Sequence, residues 1–258
     1  MGKADNKLFN CYIVHIALMI DIHISSDSTE SAQLAGKKLT EIFRTNKEVS
    51  ILFLVSGGSA LKILTFIDST CFDSRVTVGV LDERFSTDPA VNNFAQLSQT
   101  DFYKKITEKN CHVIHTMPFG NETPGDLATR WEQSLRDWKN NHPDGVTVIT
   151  QGIGPDGHTA GIMPYAEEPE IFKSLFEDFD AWIVAYDAEG KTPYRLRVTT
   201  TIPFLLSVDV AVVYVCGLEK LDALKKTLAK EGSLAATPAR VIQQMKHVSL
   251  FTDLSVSV

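Results

Sequence analysis

"GVTVITQGIGPDGHTAGIMP", residues 145–164, is the stretch whose reading decides the fold. It opens as a short apolar run rich in β-branched residues, the pattern of a buried strand, and passes directly into a turn dense in glycine and proline. Asp156 and His158 stand two residues apart on that turn. Pro155, Asp156 and Gly157 favour a sharp bend, which leaves the His158 ring free to face whatever the loop encloses.

Outward from this stretch the same alternation recurs. "IDIHI" reads as a first strand and "DSTESAQLAGKKLTEIF" as a helix, with Ala32, Ala35, Leu39 and Ile42 at helical spacing and Asp27 with Glu30 at its start. "SILFLVSGG", "VTVGVLDER", "CHVIHTM", "AWIVAYD" and "VAVVYVCG" read as further strands. Between them, Leu127, Trp131, Leu135 and Trp138 share one helical face, where both tryptophans read as core anchors, and Leu218, Leu221, Leu224 and Leu228 trace another. Continuous apolar strands alternating with amphipathic helices predict an α/β fold: a Rossmann-like, doubly wound, mainly parallel sheet with helices on both faces. No repeat, low-complexity segment or linker interrupts the series.

The bounds agree with one domain. The chain has 258 residues, 44% hydrophobic and 22% charged, enough to bury a full core. A formal charge of -7 and a pI near 5.5 argue against a nucleic-acid partner, whose phosphates require clustered Lys and Arg. Cys11, Cys71, Cys111 and Cys216 are scattered, as expected of buried thiols in a reducing compartment. In a strand, Cys111 and His115 of "CHVIH" face one side and His112 the other, so no metal site is expected there. Leu8 to Ile20 is too short and too interrupted, by Asn10 and His15, to span a membrane, and "DIHISSD" offers no convincing cleavage site. The expectation is an extension over 1–18, a single domain over 19–258, and a cytoplasmic protein with no membrane partner.

In open parallel sheets, ligands bind beyond the carboxyl ends of the strands. "SGGSA" follows Val55, "DER" follows Leu81, "QGIGPDGH" follows Thr150 and "GLEK" follows Cys216, so all four groups are expected at one end of the sheet. "SGGSA" allows backbone amides to approach an anion at a helix start, or is simply a tight turn. It lacks the Gly-Lys-Ser/Thr ending of a nucleotide P-loop, which favours a small phosphate ester over a nucleotide. His158 suits proton abstraction from water with a carboxylate fixing its tautomer, or is a structural turn histidine. There is no Gly-x-Ser-x-Gly elbow to suggest a serine nucleophile.

"GIGPDGHTAGIMP" resembles the signature of the 6-phosphogluconolactonases, which are related in fold to the glucosamine-6-phosphate deaminases. "SGGSA", "LDERF" with "VNNFAQL", "YRLRVTTTIPFL", "VCGLEKLDAL" and "TPARVI" resemble further blocks of that family, in order, from about Ile20 to the C-terminus. The resemblance implies a sugar-phosphate substrate, 6-phospho-D-glucono-1,5-lactone, a place in the pentose phosphate pathway, no cofactor, and a monomer or small homo-oligomer. It implies His158 as base on a water, oriented by Asp156, with Arg84 or loop amides meeting the carbonyl oxygen. It also implies a phosphate seated on Ser56, Gly57, Gly58 and Ser59 with Arg197 and Lys220, although Arg84 is an alternative phosphate ligand and Arg197 is chosen over Arg195 by position alone. Asp82, Gly154 and Gly157 belong to the same blocks. Asn92 and Asn93 line the sugar or cap a helix, and Asp82 and Glu83 are alternatively structural anchors for Arg84. Deaminases carry a glutamate where Met163 stands, which counts against the nearer rival, an isomerising deaminase; a non-catalytic sugar-phosphate sensor is the more distant one. Two departures are Gly161, where the lactonases commonly have serine and which is expected to loosen the pocket wall, and Ala60–Leu61 in place of Thr-Pro.

Overall fold

The structure, a computed structural model, describes residues 20–178 and 180–256. Cys11 and the expected extension lie outside the described residues. The first helix, α1 (Ser28–Thr45), starts where Asp27 accepts hydrogen bonds from the amides of Thr29 and Glu30, while Glu30 reaches back to the Ser26 amide. Its inner stripe of Ala32, Ala35, Leu39 and Phe43 is fully buried.

Seven parallel strands form the main sheet: β1 (Asp21–Ile24), β2 (Ile51–Val55), β3 (Val76–Val80), β5 (His112–Val113), β6 (Val146–Gly152), β9 (Val210–Val215) and β10 (Val248–Thr252), in the order β1-β10-β9-β6-β2-β3-β5. Every residue of β2, β3 and β10 is buried, which requires cover on both faces. From β2 the chain builds outward through β3 and β5, then returns to the other side of β2 with β6. The loops leaving β2 and β6 therefore part from neighbouring strands, and a crevice opens between them.

A second sheet corrects two expectations. "VTVGVLDER" is not one strand: it breaks at Leu81, and β4 (Asp82–Arg84) leaves the main sheet to pair antiparallel with β8 (Leu196–Thr200), which pairs with β7 (Ile183–Asp187). "AWIVAYD" thus belongs to this small antiparallel sheet. Its mixed burial, with Ile183 and Tyr186 buried and Asp187 exposed, is that of a sheet covered unevenly, which the apolar composition of the stretch does not reveal.

The remaining helices are α2 (Asn93–Ser98), α3 (Asp101–Glu108), α4 (Pro124–Asn141), α5 (Pro169–Phe176), α6 (Ile202–Ser207) and α7 (Leu221–Leu228). A Thr123–Asp126 capping box starts α4, whose Leu127, Trp131, Leu135 and Trp138 are buried as core anchors against the second sheet. Leu218 does not join the α7 stripe. It lies on the 3-10 turn Leu218–Lys220 and is 81% exposed. Cys71, Cys111 and Cys216 are buried free thiols, and burial pushes Cys71 and Cys111 up to about 11. Among the described residues, no three His, Cys, Asp or Glu side chains converge as metal ligands.

Candidate active site

The four loop groups meet. Ser56 to Ser59 from β2, Asp82 and Arg84 from β4, Gly152 to Pro155 with His158 from β6, and Lys220 beyond β9 line one cleft of about 200 Å³, together with Asn93 and Arg197.

The second sheet supplies one wall through its two-residue period. Asp82 stands opposite Thr199 and Arg84 opposite Arg197, so the side chains of 82, 84, 197 and 199 share a face and Glu83 points to the other. Arg197 Nη2 donates to Asp82 at 2.7 Å, both side chains being buried, and Asn93 Nδ2 donates to the Asp82 carbonyl at 2.9 Å. Arg195, by contrast, points outward to Asp187 and Glu189. Neither acid anchors Arg84. Asp82 is taken by Arg197, and Glu83 accepts from the amides of Arg84, Asn93 and Phe94 and from the Thr116 hydroxyl. Burial nevertheless pushes Glu83 up to about 7, against those hydrogen bonds. Asn92 caps α2 through the Ala95 amide, so of the asparagine pair only Asn93 reaches the cleft.

The loop after β6 is built around His158. The Gly154 amide donates to the His158 carbonyl and the Gly157 amide to the Gly154 carbonyl, closing a tight turn with Gly157 at φ +87°. The imidazole lies back over Gly154, where a Cβ would fall 2.1 Å from the ring. Its Nδ1 is 2.5 Å from Asp156 Oδ1, and the same oxygen accepts from the His158 amide. Burial alone would raise Asp156, but the hydrogen bond from His158 and its charge outweigh it and hold the carboxyl below its ordinary value. With Nδ1 engaged, Nε2 is left as the ring's accepting nitrogen. Asp156 and Gly157 stand behind the cleft lining and shape it through His158.

Beyond the histidine, Ala160 and Gly161 form a turn with positive φ at both residues, +49° and +67°. The Thr199 hydroxyl donates to the Ala160 carbonyl and the Tyr186 hydroxyl to the Gly161 carbonyl. Among the described residues, neither the Ala160 nor the Gly161 amide has a protein acceptor. Gly161 does not loosen the wall: a Cβ there would fall 2.7 Å from Asp82 Oδ2, so the glycine brings the turn and the buried ion pair together. Thr199, Tyr186 and the Gln151–Thr159 hydrogen bond of 2.8 Å are contributions that the sequence reading missed. A polar Thr-Gln pair ending an apolar strand was the one available signal for them.

"SGGSA" opens the 3-10 helix Gly58–Phe66 rather than an α-helix. The Ser56 amide is taken by Thr150, whereas among the described residues the Gly57 amide has no protein acceptor. Asn93 packs where a Gly57 Cβ would stand, and Gly58 has φ +63°. Lys220 Nζ donates to Ser59 Oγ at 3.1 Å, bringing an ammonium to this loop.

A parallel α/β fold with an imidazole–carboxylate pair at the carboxyl edge of the sheet is the arrangement of a small-molecule enzyme. The family model described as glucosamine-6-phosphate isomerases/6-phosphogluconolactonase matches residues 26–251, and the chain belongs to that family. Curated relatives include a 6-phosphogluconolactonase of Synechocystis, 30% identical over 67% of this chain and 68% of its own. A chloroplastic 6-phosphogluconolactonase of Arabidopsis thaliana is 24% identical over 100% of this chain and 76% of its own. Among solved structures, a 6-phosphogluconolactonase from Shewanella baltica superposes with a TM-score of 0.73 at 19% identity, over 92% of this chain and 98% of its own, and shares the fold.

Proposed function

We propose that the protein hydrolyses 6-phospho-D-glucono-1,5-lactone to 6-phospho-D-gluconate, with His158 as the general base. The observation that carries this reading is the His158–Asp156 pair, with the imidazole lining a cleft that also holds unpaired amides and cations. Nε2 takes a proton from water as its oxygen attacks C1, and the bond from C1 to the ring oxygen then breaks. The imidazolium returns the proton to that leaving oxygen, so the reaction balances with no covalent intermediate. Asp156 holds the ring and stabilises its protonated form.

Negative charge gathers on the carbonyl oxygen during attack. The amides of Ala160 and Gly161, with their carbonyls tethered to the second sheet, are preorganised donors for it. The phosphate sits on the Ser56–Ser59 loop with Lys220, Arg84 and the outer edge of Arg197. Asp82 already balances Arg197, whereas among the described residues no carboxylate lies within 4.0 Å of the Arg84 guanidinium or the Lys220 ammonium. Two uncompensated cations suit a phosphate dianion. Met163, buried five residues after His158, holds no exchangeable proton for the ring opening that a deaminase performs. Buried thiols and the product's chemistry support a cytoplasmic role in the oxidative pentose phosphate pathway. The small-molecule role needs no nucleic-acid or membrane partner. Among the described residues no helix is long and apolar enough to cross a membrane.

The deciding assay follows decay of freshly generated lactone with and without protein, beside ammonia release from glucosamine 6-phosphate. Acceleration over spontaneous hydrolysis with no ammonia is expected. Ammonia release would transfer the protein to the deaminase branch, and tight binding without turnover would make it a sensor.

A further inference from the structure

The β7–β8 connection carries an exposed aromatic residue that hydrolysis, as proposed, does not use. Tyr194 is 43% exposed, and its ring faces Arg84, whose Cζ lies 5.3 Å from the ring centroid. That distance is within cation–π range. Arg84 lines both the candidate active site and the shallow hollow beside Tyr194, so its guanidinium spans the rim between them. Its other polar contact is long, 3.4 Å from Nη1 to the Val91 carbonyl. Arg197 offers the contrast: it is fixed in the same cleft by a buried carboxylate.

The loop bearing Tyr194 is itself tied down. The Ala188 amide donates to the Arg195 carbonyl at 2.7 Å, and the Arg195 guanidinium is held by Asp187 on the outer face. Lys191 Nζ donates to the Pro164 carbonyl at 2.9 Å and lies 3.9 Å from the centroid of the Tyr165 ring. One side of the loop is thus fastened to the segment following His158, and the other presents Tyr194 to Arg84. A carboxylate partner would hold Arg84 more firmly but would cancel the charge needed for an anion. An aromatic face orients the cation and leaves that charge available.

We infer that Tyr194 is a positioning residue, holding the Arg84 guanidinium at the pocket wall where it meets the substrate phosphate. This inference rests on the lactonase reading for its substrate. Its test therefore includes binding of 6-phosphogluconate and inorganic phosphate by calorimetry, which needs no turnover.

Tyr194→Leu removes the π face at similar bulk, whereas Tyr194→Phe keeps it. Tyr194→Leu is expected to raise KM for the phosphorylated lactone, and Kd for 6-phosphogluconate, about three- to fivefold, the scale of an exposed cation–π contact. The expected kcat stays within about twofold, and Tyr194→Phe restores the original constants. KM for glucono-1,5-lactone, which has no phosphate, should not move. In an Arg84→Ala background, Tyr194→Leu should have no further effect. Equal damage from Phe and Leu, equal loss on both lactones, or a Leu effect that survives Arg84→Ala would overturn the inference. Absence of turnover in the unchanged protein would instead count against the lactonase reading, and the Tyr194 comparison would still be decided by the binding data; failure of the unchanged protein to bind either phosphate probe would overturn both.

Discussion

The imidazole of His158 occupies the space that a side chain on Gly154 would need, so base and platform are coupled at single-residue scale. His158→Ala should lower kcat by about 10²- to 10⁴-fold with a modest change in KM, as measured by continuous lactone decay. Retained kcat would remove the general-base assignment. Gly154→Ala should also lower kcat, because its methyl group displaces the ring from Asp156. Glu83 acts on stability instead. Its folded-state value of about 7 exceeds the ordinary 4.5, so between those pH values the native state binds more protons than the unfolded chain. Stability should therefore fall as pH rises from 4.5 to 7 and level off above, as read from urea midpoints. Glu83→Gln should abolish that slope and lower stability at pH 8 by about 2 kcal/mol, since an NH2 group would then oppose an N–H donor.

At the scale of elements, the short strand β4 is decisive. By leaving the main sheet after Leu81 it turns Asp82 and Arg84 onto the cleft face beside Arg197, and directs Glu83 to the start of α2. The turn at Ala160 and Gly161 is docked on this sheet through Thr199 and Tyr186. Gly161→Ser should cost about 1–2 kcal/mol from its left-handed backbone alone, and more as the new Cβ presses on Asp82. Thermal unfolding would measure the loss; an unchanged midpoint would mean that the turn and the ion pair shift apart freely. Lys220→Ala, at the 3-10 turn after β9, should weaken binding of the phosphorylated lactone far more than of glucono-1,5-lactone. Equal loss on both would contradict a phosphate role.

The described residues bury one core around a seven-stranded sheet, and their thiols lie inside it. In a Cys11→Ser variant, Cys71, Cys111 and Cys216 should resist a thiol reagent at pH 8 until denaturant is added, because burial removes both access and thiolate. Rapid labelling of the native protein would refute that packing. The sheet, α1, α4 and the meeting of four loops were legible because each depends on local pattern: apolar runs, helical spacing, and glycines at strand ends. His158 and Asp156 were legible for the same reason, being two residues apart on one turn. The second sheet was not legible in this way, since "LDER" and "YRLRVTTT" are too short and mixed for periodicity to separate strand from loop, and their pairing joins residues more than a hundred positions apart. By itself, then, the sequence determined the layered α/β architecture and the histidine loop, because backbone preference and hydrophobic period act between near neighbours. Only the tertiary structure decided that Asp82 neutralises Arg197, that Glu83 serves α2, that Gly161 makes room for Asp82, and that Tyr194 faces Arg84. Those choices rest on burial and register between distant segments, where Coulomb attraction and steric exclusion act after the chain has closed.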